Sequence, residues 1–399
     1  MSLRLPDSSH SLAGLVKVFL LAFLLAGCGG GGSTNPAVKS FFVAGPIKGF
    51  GSVIVNGTRF DASAATVAND DDDAQSESDL KLGMMAEIQS GQITADSTGS
   101  HAAATDIHFR SAIVGPVGSV DTMAKTLVVL GQTVDITPTT VFDERLASGL
   151  GGIAKGDVVE VYGMLDAASG HYLATRIEPK ANAAFYKLRG AVSKLDTMAH
   201  TFQIGSELIS YAGLAANQVP ADLANGVLVV VKLQTAQMNG AWVATKLKDA
   251  APHLADQEET ELEGVITDFT SATKFSVDGT AVDATNAKFP DGTDGIVLGA
   301  RVEVEGSANA GVIVATKVSI ESESKDMLTG FELHGTISML DTTAKTFLLR
   351  GVTVSYGGSA VVFKNGMESD LAAGRKVEVK GSLSTDGTKL DATTIVFES

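Results

Sequence analysis

The chain has one cysteine and one tryptophan in 399 residues. A lone cysteine excludes internal disulfides and metal sites built from cysteine pairs. Aromatic residues make up 6%, which argues against an array of ring platforms stacking on sugars. The apolar run Val18–Ala26 is nine residues long, well short of the roughly 20 that a membrane helix needs. Cations are also short: 30 Lys+Arg against 46 Asp+Glu leave a net charge of −16. A field of that sign repels phosphate backbones, so nucleic acid is disfavoured as a partner. There is no Gly-x-Ser-x-Gly elbow, no Gly-x-x-x-x-Gly-Lys phosphate loop and no His-x-x-x-His pair. Serine hydrolase, nucleotide and zinc chemistry therefore lack their usual signatures, and no cofactor is implied.

What is present begins at the N-terminus. Arg4 and Lys17 precede Val18–Ala26, a run of the length expected for a signal-peptide core. It ends in Leu25-Ala26-Gly27-Cys28, which resembles the lipobox of bacterial lipoproteins. The resemblance implies cleavage before Cys28 and acylation of that residue. Residues 1–27 are then a signal peptide and 28–44 a lipidated tether, flexible through Gly29–Ser33. Glycine rather than aspartate at position 29 favours delivery to the outer membrane, by likeness to Gram-negative lipoproteins. The lipid bilayer would be a partner through acylated Cys28, each buried methylene contributing about 0.8 kcal/mol. The bland alternative is a chance cysteine in a secretory signal.

The rest of the chain repeats itself. Ala-Thr-x-[Ile/Leu/Val] occurs at Ala104–Ile107, Ala174–Ile177, Ala244–Leu247, Ala315–Val318 and Ala392–Ile395. Each closes a block that opens on a glycine: Gly45, Gly115, Gly190, Gly264 or Gly335. Periods of this length point to tandem domains rather than thin solenoid repeats. After the opening strand, Asp121-Thr122, Asp196-Thr197 and Asp341-Thr342 start turns, because Asp can accept from backbone two residues on. A glycine then breaks the second strand in every copy, as in Asn56-Gly57 and Asp278-Gly279, and such pairs favour a tight hairpin with positive φ. Arg301–Glu305 and Lys376–Lys380 alternate charged and apolar residues, so the fourth strand has one buried face. In copies two, four and five it ends at Gly163, Gly306 and Gly381, whereas copies one and three have Ser90 and Leu233 and are expected to turn differently. In the closing strand Thr316, Val318 and Ile320 share one face, taken as core, with the Lys or Arg outward.

Each copy is thus a three-strand meander, an irregular connection and a hairpin. The fold class is all-β: five tandem, small, five-stranded OB-like β-barrels, at 45–109, 112–178, 186–248, 260–321 and 331–398. A small open sandwich is the competing arrangement. The opening glycine, Asp-Thr turn, x-Gly hairpin, Leu-x-x-Gly-x-x-Val-Glu-Val strand and closing Ala-Thr motif together resemble the tandem repeats catalogued as domain of unknown function 5666. The resemblance covers roughly residues 45–397, best in copies two, four and five. It implies an envelope location and a fold type, and transfers no catalytic residues.

Few side chains stand out as sites. Asp70, Asp71, Asp72 and Asp73, followed by Glu77 and Asp79, form the densest charge run. Hard cations take several carboxylates, so calcium is a candidate; a solvated acidic loop is the simpler reading. The histidines His101, His108, His200 and His334 do not cluster. Glu160, Glu303 and Glu378 recur at one strand position and read as outward, solubilising residues. Trp242 is a candidate sugar platform, or else strand packing beside a turn.

The function expected is that of a noncatalytic, lipid-anchored outer-membrane protein: a tandem β-domain scaffold or adhesion protein with an unknown envelope protein or glycan as partner. A polysaccharide- or small-ligand-binding module is the alternative. An enzyme would need a polar site assembled between domains.

Overall fold

The computed structural model describes residues 41–398, apart from 72, 97–98, 253, 323–329 and 359. Cys28 and most of the expected tether lie outside the described residues. Copy two shows the unit at its plainest. Its strands are Ile113–Asp121, Thr126–Val129, Gln132–Phe142, Val158–Asp166 and His171–Pro179. The first pairs with the second and the second with the third; the third runs parallel to the fifth. The fifth pairs with the fourth, which returns to the first. That circuit closes a five-stranded barrel in the order expected, and closure removes free sheet edges. Copy four repeats it with strands 257–271, 274–277, 280–283, 301–309 and 312–320. The third connection carries short 3-10 turns, such as Gly149–Gly152 and Glu368–Asp370, and in copies one and five also short strands, Thr66–Asn69 and Val362–Lys364 among them.

The turn chemistry read from sequence is present. Asp121, Asp196 and Asp341 each accept two backbone N–H groups at 2.9 Å from residues two and three positions on. Both central residues have positive φ at Asn56-Gly57, Leu130-Gly131, Asp278-Gly279 and Arg350-Gly351. In copy three Ile204 pairs with Glu207, so the turn is Gly205-Ser206, with positive φ at Gly205 only.

The closing motif differs from expectation. In all five copies the ladder slips by one residue at the threonine. Glu305 pairs with Lys317 and Gly306 with Ala315, so Thr316 is the extra residue of a β-bulge. Thr105, Thr175, Thr245 and Thr393 occupy the same place. The bulge resets the period-two alternation. Ala315 and Val318 are therefore both buried, at 3% and 1% exposure, while Thr316 faces outward. Four of the threonines tie the bulge down by donating to the facing strand: Thr105 to Gln89 O at 3.2 Å, Thr245 to Lys232 O at 3.3 Å, Thr316 to Glu305 O at 3.1 Å and Thr393 to Lys380 O at 3.0 Å.

The glycines Gly163, Gly306 and Gly381 stand opposite the bulge and do not end the strand, which continues to Asp166, Asn309 and Leu383. Where Ser90 and Leu233 replace them, the strand does stop there. A Cβ added at Gly306 would lie 2.3 Å from the carbonyl oxygen of Val314, so backbone must move to admit it. Gly306→Ala is expected to destabilise the protein by about 1–3 kcal/mol. An unchanged urea midpoint would show that the crossing is not tight.

The copies do not hang as separate beads on a string. The opening strand of copy one is Phe41–Pro46, starting inside the expected tether, and it is buried throughout. Val43 faces the core shared by copies one and five, while Phe42 and Ala44 enter the core of copy four. A strand buried on both faces carries apolar residues at successive positions, as Phe-Phe-Val-Ala does. Phe41–Ala44 pairs in parallel with Glu259–Leu262 of copy four. Gly49–Phe50 pairs in parallel with Glu332–Leu333 of copy five. Ile113–Val114 of copy two pairs antiparallel with Lys187–Leu188 of copy three. Met85, Met164 and Val265, from copies one, two and four, form a small apolar knot. The described residues are one compact unit, with copy one in contact with the other four.

Candidate functional site: the charged junctions between copies

The residue just before each opening glycine faces the third residue of the fourth strand. The pairs are Ala44 with Glu87, Val114 with Glu160, Arg189 with Val230, Glu263 with Glu303, and His334 with Glu378. These positions point away from their own barrel core, and sequence alone assigns their glutamates to solvent. The structure places most of them in contact with another copy.

Arg110 Nε lies 2.9 Å from Glu87 as an ion pair, and Arg110 Nη2 reaches Asp278 of copy four at 2.8 Å. The guanidinium and Asp278 side chains are each 6% exposed. Burial works against the Arg110 charge, but Asp278 and Glu87 outweigh it and raise its pKa. Glu160 is buried, accepting from Ser111 Oγ at 2.8 Å and Lys180 Nζ at 2.6 Å. Burial pushes its pKa up, yet Lys187 of copy three and Lys180 hold it below the ordinary value.

The junction of copies one and five is a cluster of charges. Arg59 clasps Glu332 with two bonds of 2.5 and 2.9 Å. His334 bonds Glu332 at 2.8 Å and Glu398 at 2.7 Å, and Lys380 lies 3.1 Å from Glu332. Glu332, His334 and Glu378 have ligand atoms within 4.8 Å of one another, spacing that a metal could use. Arg59 and Lys380 already supply the positive charge there, so the geometry is that of an ion-pair network. The bond to Glu332 leads the causes that raise the His334 pKa.

Copy four instead presents like charges. Glu261 faces Glu305 and Glu263 faces Glu303 across the first and fourth strands, an arrangement that is unfavourable when both partners are ionised. Burial, then Glu303 and Glu305, push the Glu261 pKa to about 8. Burial and Glu321 push Glu303 to about 7. The solubilising role expected of Glu160 is therefore replaced by burial at a junction, Glu303 is half-buried opposite Glu263, and Glu378 pairs with Lys380 at 3.0 Å.

The acidic run is the second departure. Asn69 organises it, accepting from the N–H of Asp71 at 2.9 Å and of Asp73 at 3.0 Å. Asp70 bonds Lys187 Nζ at 3.1 Å, and Asp71 meets Lys232 at 2.6 Å and Lys246 at 3.0 Å. All three lysines belong to copy three. Asp73 is exposed, and Asp72 lies outside the described residues. Three ammonium groups thus stand against Asp70 and Asp71, where a calcium ion would need to be, and the loop is a clasp between copies one and three rather than a free solvated segment. Burial raises the Asp71 pKa, but Lys232 and Lys246 prevail and hold it low. Asp71→Ala is expected to cost about 2–4 kcal/mol, since it leaves two ammonium groups unpaired. Faster proteolysis after Lys232 and Lys246 would report the opened clasp; unchanged cleavage would contradict it.

The other candidates sit apart. Trp242 donates Nε1–H to Glu207 Oε2 at 2.6 Å and meets Tyr186 edge-on, with centroids 5.6 Å apart. Its counterparts Tyr172, Ile313 and Leu390 are core residues, which makes Trp242 a half-buried packing residue. His200 is an exposed turn residue at φ 53°, and His101 lies 3.7 Å from Asp96.

Copy three breaks the pattern. Its fourth strand carries Val230 where the others carry glutamate, and across from it stands Arg189. Arg189 is 8% exposed and makes one side-chain bond, from Nη2 to Ala250 O. Burial and the neighbouring Arg110 depress its pKa to about 10. Arg189 lines a cavity of about 570 Å3 walled by copies one and three, with Phe42, Arg110, Val230, Lys248 and Ala250 among its residues. Sequence reading missed both arginines. The signal was available in the repeat alignment, as the one fourth strand without its glutamate.

Residues 114–178, 263–319 and 334–396 match the family described as Domain of unknown function (DUF5666). These are copies two, four and five. No curated protein matches the chain. Among solved structures, Drosophila Unr CSD456 shares 14% identity, covering 53% of this chain and 97% of its own, at a TM-score of 0.13. A likeness of that size carries no argument about fold or function. What the segment matches and the recurring barrels together establish is an all-β protein in which three repeated segments, copies two, four and five, match the DUF5666 domain.

Proposed function

We propose that the protein is a noncatalytic, lipid-anchored scaffold of the cell envelope whose working unit is the whole five-copy body. The observation that carries this reading is the pairing of opening strands between copies one and four, one and five, and two and three. Repeats that bind independently need only a linker between them. Here outward charges of copy one, or beside it, meet partners on copies three, four and five, which holds those copies in place relative to one another. Such a body suits holding a partner across several copies. Acylated Cys28 would keep it at the outer membrane, with an envelope protein or glycan as that partner.

The test uses the full chain expressed in a Gram-negative host. Wild type is expected in the outer-membrane fraction and Cys28→Ser in the soluble periplasm. Cross-linked partners should be recovered with the intact chain and lost when copy four alone, verified as folded, is displayed on the same anchor. Membrane partition of Cys28→Ser would remove the anchor from this reading. Undiminished capture by copy four alone would remove the scaffold.

A further inference from the structure

We propose that the cavity between copies one and three is a binding site for a small organic monocarboxylate, held by Arg189. The inference is independent of the scaffold reading. It starts from an imbalance in the cavity wall. Arg110 is ion-paired with Glu87 and Asp278, and Asp70 with Lys187. Arg189 has no carboxylate within ion-pair range among the described residues, and its one hydrogen bond goes to a backbone carbonyl. A guanidinium carries five N–H donors in a planar fork. Asp278, Glu87 and Asp70 act on it from a distance, but each is already paired with another cation, and burying a guanidinium beside a second arginine without an anion of its own is costly.

In copies two, four and five the same cross-strand position supplies a glutamate, and in copy one Glu87. Directly opposite side chains lie about 5 Å apart at Cβ, so a glutamate at 230 would reach Arg189. Valine leaves that acceptor position open, and the space beyond it is the cavity. Lys248, half-buried on the wall, makes no side-chain ion pair among the described residues and adds a second cation without an ion pair, beside Arg189.

The wall also says which anion. Besides Glu87 and Asp70 it contains Asp106 and Asp249. Glu87 and Asp70 already have cations, but Asp106 and Asp249 have no ion-pair partner among the described residues and repel a dianion more than a monoanion, which disfavours phosphate, whereas one carboxylate matches the arginine fork. Phe42, Val230 and Ala250 offer apolar surface to the remainder of the ligand. A volume of about 570 Å3 is in the range of small-molecule sites.

Titration calorimetry of the soluble Cys28→Ser chain at fixed ionic strength tests this, with benzoate, butyrate and inorganic phosphate as probes. Benzoate or butyrate should bind saturably and phosphate should not. Arg189→Lys keeps the charge but loses the fork, and should weaken binding at least about tenfold, the scale of one lost charged hydrogen bond. Val230→Glu supplies the carboxylate from within; it should abolish binding while the thermal midpoint holds or rises. Because that variant relieves an unpaired charge, loss of binding in it is separable from loss of folding. No saturable carboxylate binding in wild type, phosphate binding as tightly as benzoate, or undiminished binding in Val230→Glu would each overturn the proposal.

Discussion

Arg110→Met is expected to destabilise the protein by about 3–5 kcal/mol, the usual effect of breaking a buried ion pair from one side. Arg110 is 5% exposed and joins Glu87 of copy one to Asp278 of copy four. Methionine matches its stem and leaves Glu87 and Asp278 without the guanidinium that paired with both. The carboxylates can escape by taking up protons, so the loss should be smaller at pH 4 than at pH 7. Chemical denaturation at the two pH values measures it. The triple variant that adds Glu87→Gln and Asp278→Asn should recover most of the loss, because no charge is then stranded. An Arg110→Met chain as stable as wild type at pH 7 would mean that water reaches this junction freely.

The second large effect is a fall in thermal midpoint as pH rises from 5 to 8. Glu261 and Glu303 have folded pKa values of about 8 and 7 against an ordinary 4.5. Between 4.5 and those values the unfolded chain has shed the protons that the folded chain keeps. Stability then decreases with pH. Each of the two carboxyls contributes up to about 1.4 kcal/mol per pH step of one, and less where water screens it. His334 adds to the trend: its raised pKa contributes stability below the ordinary imidazole value that is lost as pH passes the folded one. Groups held low, such as Asp71 and Glu160, lose their contribution only in stronger acid. The maximum should therefore lie near pH 5. Glu261→Gln should raise the midpoint at pH 8, change it little at pH 5, and flatten the profile. A profile that is flat in wild type would show the glutamates of copy four to be water-exposed.

The strand order was legible in the sequence because each strand's limits are written in turn chemistry. Asp121, Asp196 and Asp341 do what an aspartate two residues before a backbone N–H does. Asn56-Gly57 and Asp278-Gly279 need positive φ wherever they occur. The threonine of the closing motif was misassigned for a definite reason. Period two predicts which residues share a face only while the ladder stays in register, and a bulge shifts it by one. Four consecutive residues then show Ala and Ile buried with Thr between them outside. The junctions were illegible for another reason. An outward glutamate has the same sequence pattern whether it meets water or another copy's lysine. Glu160 and Asp71 differ from solvated acids only through Lys180, Lys187, Lys232 and Lys246, and nothing local to the acids names those partners.

The strand Phe41–Pro46 has a consequence for how the chain reaches its final form. It leaves the ribosome first among the described residues, yet its parallel neighbours, Glu259–Leu262 and, through Gly49–Phe50, Glu332–Leu333, are made much later. Until then Phe42 has no core to enter, and a sheet edge next to it stays open to other chains. Copy one is begun first and completed last. Each emerging copy can close its own barrel in the interval, but the assembly as a whole waits for its C-terminal quarter. A truncation that removes copy five should therefore injure copy one, at the opposite end of the sequence.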